Sequence, residues 1–363
     1  MIDLKKINER ITRSKWIKIY LALVVIQGVL IIALESALAS QNLAQARILP
    51  TFPPGQREQE PLDGIARQVN HVRIRLNRAK WENIAFVAIQ IWFVVMAFDA
   101  TIYQNASEVI ALAVINLVCA ALGGLQVIQA GHRIKTIQGI NQDFDLNINV
   151  YSIRTVYYMT IVATACLTLF AFIFLYLSIL VVREIGWVTY KKIGPDVGIQ
   201  KMYTVFQLFV LALKIDVFVE FLVSCFYVTQ FATESGFEWE TWVELCITVS
   251  MLPMLYFARI AVAAEKRWQM IIFILFQLLV VAVFTLMIFQ TMEPGNFWYT
   301  YIVAIGLVFA VVTPMLGCWT MYNFNKGLAP YIQRGKKKKE YPTKQQELHE
   351  QSPLQSSWQI DDD

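Results

Sequence analysis

The chain has 363 residues, of which 57% are hydrophobic and only 16% are charged. Soluble globular domains carry about 25% charged residues, so the composition excludes an ordinary water-soluble fold. A formal charge of +4 excludes little as a total, and the placement of the basic residues is what informs.

A hydrocarbon core about 30 Å thick needs about 20 apolar residues of helix. Runs of that kind lie near 17–39, 82–103, 106–130, 156–182, 203–230, 241–264, 268–290 and 299–324. In lipid every backbone N–H and C=O must be bonded internally, so each run is expected to be a helix. The expected fold class is all-α: one polytopic bundle of about eight transmembrane helices over 1–330, with a disordered polar tail at 331–363. The leftovers are too short to hold a separate catalytic domain of about 100 residues.

Span one follows a basic segment and ends near Ala37-Leu38-Ala39, which has the form of a signal-cleavage site. Its apolar run exceeds the usual signal-peptide length of about 7–15 residues, so an uncleaved span is the reading taken. Cleavage would leave seven spans and a lumenal N-terminus. The connector after it opens with Pro50-Thr51-Phe52-Pro53-Pro54-Gly55, which cannot continue a helix. Beyond it, Leu62, Ile65, Val69, Val72 and Leu76 follow a 3-4-3-4 spacing that lines one helix face. With Arg67, Arg73, Arg75, Arg78 and Lys80 beside them, they read as a basic amphipathic helix on the membrane surface, or as a docking site for a partner. Asn105-Ala106-Ser107 is a glycosylation sequon in a very short turn, and reads as a chance match. Pro253 and Pro314 fall inside spans six and eight and should kink them.

Orientation follows from Lys and Arg. With a cytosolic N-terminus, the cytosolic side receives Lys5, Lys6, Arg10, Arg183, Lys191, Lys192, Lys201, Lys266, Arg267 and Lys336 to Lys339. Both termini are then cytosolic. The connectors 231–240 and 291–298 carry no Lys or Arg and are acidic, as suits the lumen. The basic connector after span one, and Arg133, Lys135 and Arg154, run against this bias. Long connectors weigh less in the rule, so the orientation stands.

Ionisable residues at mid-membrane depth are costly, by roughly 2.5–3.5 kcal/mol each, so each marks a candidate site. Span five carries Lys214, Asp216 and Glu220. On a helix Asp216 and Glu220 share a face, whereas Lys214 lies about 160° from Asp216, near the face of Gln207. Other helices must therefore supply partners. Glu35 of span one matches the depth of Glu220, which makes Lys214, Asp216, Glu220, Glu35 and Gln207 the candidate intramembrane polar site. It reads either as a proton or cation site or as a fold-specifying polar layer. Asp99 and Arg259 match in depth near the cytosolic face and form the expected structural pair.

No catalytic constellation emerges. His71, His132 and His349 are isolated, so no metal-ligand spacing exists, and no cofactor is expected. Cys119, Cys166, Cys225, Cys246 and Cys318 all fall in spans and read as packing residues rather than a disulfide framework. The basic residues are topological, so the expected partner is the lipid bilayer and not nucleic acid.

The most specific stretch enters span five. Arg183-Glu184-Ile185-Gly186-Trp187 is followed by Tyr190-Lys191-Lys192-Ile193-Gly194, then Met202-Tyr203, Gln207, Lys214 and Asp216. Together with Asn323-Phe324 and Lys326-Gly327-Leu328, it resembles a family of fungal multi-pass Golgi-apparatus membrane proteins of uncharacterised molecular function. The resemblance implies a Golgi membrane location and no reaction. Independently, Gly186 and Gly194 would permit tight turns, while Trp187, Tyr190, Lys191 and Lys192 suit the membrane interface. The loop 183–201 and the tail are the expected places for a protein partner. Two function classes remain open. One is a non-enzymatic binding, receptor or trafficking protein. The other is a proton- or cation-coupled carrier of a small solute that uses the span-five carboxylates.

Overall fold

The structure, a computed structural model, describes residues 14–49, 60–144, 151–193, 197–227, 239–291 and 297–326. These residues form eight α-helices and no strand. In chain order they are α1 (Lys15–Ile48), α2 (Glu60–Tyr103), α3 (Ala106–Phe144), α4 (Tyr151–Ile193), α5 (Val197–Tyr227), α6 (Trp239–Ala263), α7 (Arg267–Thr291) and α8 (Phe297–Tyr322). The protein is an all-α polytopic bundle. By length and composition, seven of the eight helices can cross a membrane. The eighth is α5, whose 31 residues are long enough but include Lys214, Asp216 and Glu220. It packs among the others, against α2, α3, α6 and α8. Pro253 and Pro314 lie within α6 and α8, which continue through them.

The helices close into two rings of four. In the first, α1 packs on α2, α2 on α3, α3 on α4, and α4 back on α1. In the second, α5 packs on α6, α6 on α7, α7 on α8, and α8 back on α5. The rings meet where α5 touches α2 and α3, and α8 touches α3. One core runs through the joint, with Ile31, Phe86 and Leu122 on one side and Val223, Val280 and Phe284 on the other. The outward faces carry large apolar side chains such as Val29, Val95, Phe172 and Phe289, as lipid-facing surface does.

Glycines allow close approach at two places. A Cβ on Gly28 would meet Val94 Cγ2 at 2.8 Å, and one on Gly306 would meet Phe284 Cε2 at 2.8 Å. The two shortest turns close by left-handed residues, Gln104 (φ 55°) after α2 and Glu265 (φ 50°) after α6. Asn105 N donates to Ala100 O at 2.9 Å, and Lys266 N to Ala261 O at 3.0 Å, so these turns satisfy helix-end carbonyls. Asn105 also caps α3, its Oδ1 accepting from Ser107 N at 3.2 Å. Its place in the sequon is thus accounted for by capping.

The two rings differ in height. Helices α6, α7 and α8 have 25, 25 and 26 residues. At 1.5 Å per residue they are about 37–39 Å long, little more than a bilayer core. Helices α1 to α4 have 34, 44, 39 and 43 residues. They are about 51–66 Å long and must project well beyond the hydrocarbon. The projecting ends share an apolar core of their own: Ala46 from α1 and Leu49 just beyond it, Val69, Val72 and Leu76 from α2, Ile137 and Ile140 from α3, and Ile153 from α4.

This corrects the reading of 62–76 as a helix lying on the membrane. The segment belongs to the first part of α2, and its Val69, Val72 and Leu76 are turned to α1, α3 and α4 rather than to lipid. The side chains of Leu62 and Ile65, and the tail at 331–363, lie outside the described residues.

Candidate functional site

Among the described residues, four groups of polar side chains lie inside the bundle. The first joins the rings. Lys214 of α5 donates from Nζ to Asp99 Oδ2 of α2 and to Glu108 Oε1 of α3. Glu108 stands in the first turn of α3, where a carboxylate also meets the positive end of the helix. Its side chain is 2% exposed, against 22% for Lys214 and 30% for Asp99. One cation thus serves two carboxylates across the joint.

The expected pair Asp99–Arg259 is therefore not formed. Asp99 is taken by Lys214, and Arg259 stands on an exposed face of α6. A match in depth along the chain does not say which face of α6 turns inward.

The second group lies inside the second ring. Asp216 and Glu220 are fully buried on the side of α5 opposite Lys214. Gln277 Nε2 of α7 donates to Glu220 Oε1, and Thr313 of α8 lies beside Asp216. The Thr313 hydroxyl is the donor within reach of the Asp216 carboxylate, while Glu220 Oε2 and Gln277 Oε1 are buried without a hydrogen-bond partner.

Two further groups belong to the first ring. Gln27 Nε2 of α1 donates to Gln90 Oε1 of α2 at 3.1 Å and to Asn116 Oδ1 of α3 at 2.9 Å. Asn116 Nδ2 returns a bond to Gln27 Oε1 at 3.1 Å. Nearer the projecting end, Glu82 pairs with Arg133 at 3.8 Å and lies in the field of Arg78. Glu35 belongs here, close to Glu82, with both carboxylate oxygens buried and unbonded.

The expected five-residue site is thus divided. Asp216 and Glu220 stay together, Lys214 serves the joint, and Glu35 sits in the other ring. Gln207 is half-buried and takes no part in the cluster. Glu35 does not reach Lys214, because α1 packs on α2 and α4 and Glu35 stands beside Glu82, about 25 Å along α2 from Asp99. Sequence reading missed Glu108, Gln277, Thr313 and the Gln27 network. Single polar residues inside apolar runs, such as Gln277 in α7, were the available signal.

At the other end, Gly186 lies inside α4 and makes no turn, with open space where its Cβ would be. Trp187 is exposed, as an interface residue should be. Ser14, the N-cap of α1, donates to Glu184 and ties the two helices at that end. The side chains of Tyr190, Lys191 and Lys192, and the whole of Gly194, lie outside the described residues.

Set beside known proteins, one stretch of 163 residues is 27% identical to a protein of Schizosaccharomyces pombe described as a UPF0658 Golgi apparatus membrane protein. The chain is distantly similar to a Golgi membrane protein. The match covers 41% of this chain and 44% of that relative, so the chain spans less than half the length of the curated relative it matches. The relative's description and the membrane-crossing helices agree with the expected multi-pass Golgi membrane location. No family model matches, and no solved structure matches.

Proposed function

We propose that this Golgi membrane protein acts without catalysis, as a receptor or adaptor whose projecting four-helix extension binds an acidic partner protein. The extension itself carries this reading. A bundle that only had to sit in lipid would have no need of helices about 20–35 Å longer than the hydrocarbon core. The extension has its own apolar core, so it presents a fixed surface rather than a loose loop. Among the described residues that surface is basic. Arg47, Lys135 and Arg154 are exposed on it, alongside exposed Ile48 and Tyr151. Arg and Tyr are enriched at protein interfaces, and a basic patch selects an acidic partner.

The Lys/Arg bias of the later spans puts the extension in the lumen. Protease protection of sealed Golgi vesicles with a tag at each end tests that side, and both tags should be digested. A photo-crosslinking residue at position 135 should then give a discrete adduct. Changing Arg47 and Arg154 to Gln should abolish the adduct while leaving the protein in the Golgi. No adduct, or one indifferent to those charges, would count against the reading.

A carrier is the second reading, favoured by the carboxyl cluster enclosed by α5, α7 and α8. It predicts that a Glu220→Gln protein, folded and correctly located, loses a pH response in purified vesicles. An unchanged response removes the carrier.

A further inference from the structure

We propose that Asp216, Glu220, Gln277 and Thr313 form a binding site for a hard divalent cation inside the second ring of helices. The inference is independent of the extension and its partner. It starts from helix geometry. Residues four apart stand one above the other on one face, so Asp216 and Glu220 present both carboxylates to the same interior space. Helix α7 closes that space through Gln277, which bonds Glu220, and α8 closes it through Thr313, which faces Asp216. All four residues are fully buried.

Donor chemistry then narrows the ligand. With the Thr313 hydroxyl within hydrogen-bond reach of Asp216, three oxygens are left without a partner: one on Asp216, Glu220 Oε2 and Gln277 Oε1. Buried polar atoms in native proteins are nearly always paired, so three together call for a common partner. Gln277 makes this more than an acidic pair, since its Oε1 is a buried acceptor with no donor beside it, and the Thr313 hydroxyl orients the Asp216 carboxylate.

The protein supplies no cation of its own from the described residues. Lys214 is on the opposite face and already holds Asp99 and Glu108. Among the described residues, Gln277 and Thr313 are the polar side chains shown against the two carboxylates. An all-oxygen donor set with no nitrogen or thiolate selects the hard ions calcium, magnesium or manganese over zinc or copper. Two carboxylates match a charge of two, and water can complete the six to eight ligands that such ions take.

The test uses the full-length protein purified in detergent. Thermal unfolding is followed in chelator and then in millimolar calcium, magnesium or manganese chloride, with sodium and potassium chloride as controls. One of the divalent ions should raise the melting temperature by several degrees, and elemental analysis after desalting should find that ion bound in equimolar amount. Asp216→Asn and Glu220→Gln should each abolish the shift, whereas Asp99→Asn should keep it. Should either carboxylate variant fail to fold, Thr313→Val should still weaken the apparent affinity by about tenfold, through loss of the hydroxyl that orients Asp216. Indifference of the native protein to all three divalent ions would overturn the proposal. So would a shift that survives both carboxylate changes, or a response confined to sodium.

Discussion

Replacing Lys214 by Met tests the joint between the rings. The change removes the one cation shared by Asp99 and Glu108 and leaves two carboxylates facing each other. Breaking a buried pair by deleting one partner costs about 3–5 kcal/mol. Lys214 and Asp99 keep 22% and 30% of their side-chain surface, so water relieves part of the loss and the lower end, about 3 kcal/mol, is expected. Asp99→Asn should cost far less, under about 1 kcal/mol, because Lys214 and Glu108 remain as a neutral pair. Glu108→Gln should fall between, since Glu108 is the buried carboxylate and also caps the positive end of α3. Arg259→Gln on its exposed face should stay within about 0.5 kcal/mol. Equilibrium unfolding by sodium dodecyl sulfate in mixed micelles, read by tryptophan fluorescence, gives all four values. The assignment fails if Asp99→Asn costs as much as Lys214→Met, or if Lys214→Met costs less than about 1 kcal/mol.

Lys214→Met and Asp216→Asn should add to within about 0.5 kcal/mol in the same assay, because they face different helices and share no partner. Gln27→Ala and Asn116→Ala should instead couple by about 0.5–1.5 kcal/mol in a double-mutant cycle, the range of interhelical hydrogen bonds in membranes. Gly306→Ala should destabilise by about 1–3 kcal/mol, since its Cβ would strike Phe284, while Gly124→Ala, which meets nothing, should be silent. Leu76→Ala should cost about 2–5 kcal/mol if the extension is a packed bundle, and protease should then cut near α2 more readily. A helix lying on the membrane would show neither effect.

Much of this protein follows from hydropathy alone. Eight apolar runs become eight helices, and the ends of α5 to α8 fall within a few residues of the sequence reading because lipid and water divide sharply there. The opposite faces of Lys214 and Asp216 also follow directly, from the fixed rotation of a helix. Sequence reading stopped short at the projecting ends of α1 to α4, because hydropathy registers only the part of a helix that lipid dissolves. The face carrying Val69, Val72 and Leu76 was legible, yet its partners on α1, α3 and α4 were not. Pairing was the other gap. Depth can be counted along a chain, but it leaves open which helices are neighbours and how each is turned about its axis. That choice sent Asp99 to Lys214 rather than to Arg259, set Glu35 beside Glu82, and enclosed Asp216 and Glu220 with Gln277 and Thr313. It is made by side-chain packing over whole helix faces, a sum of many small contacts that no single residue announces.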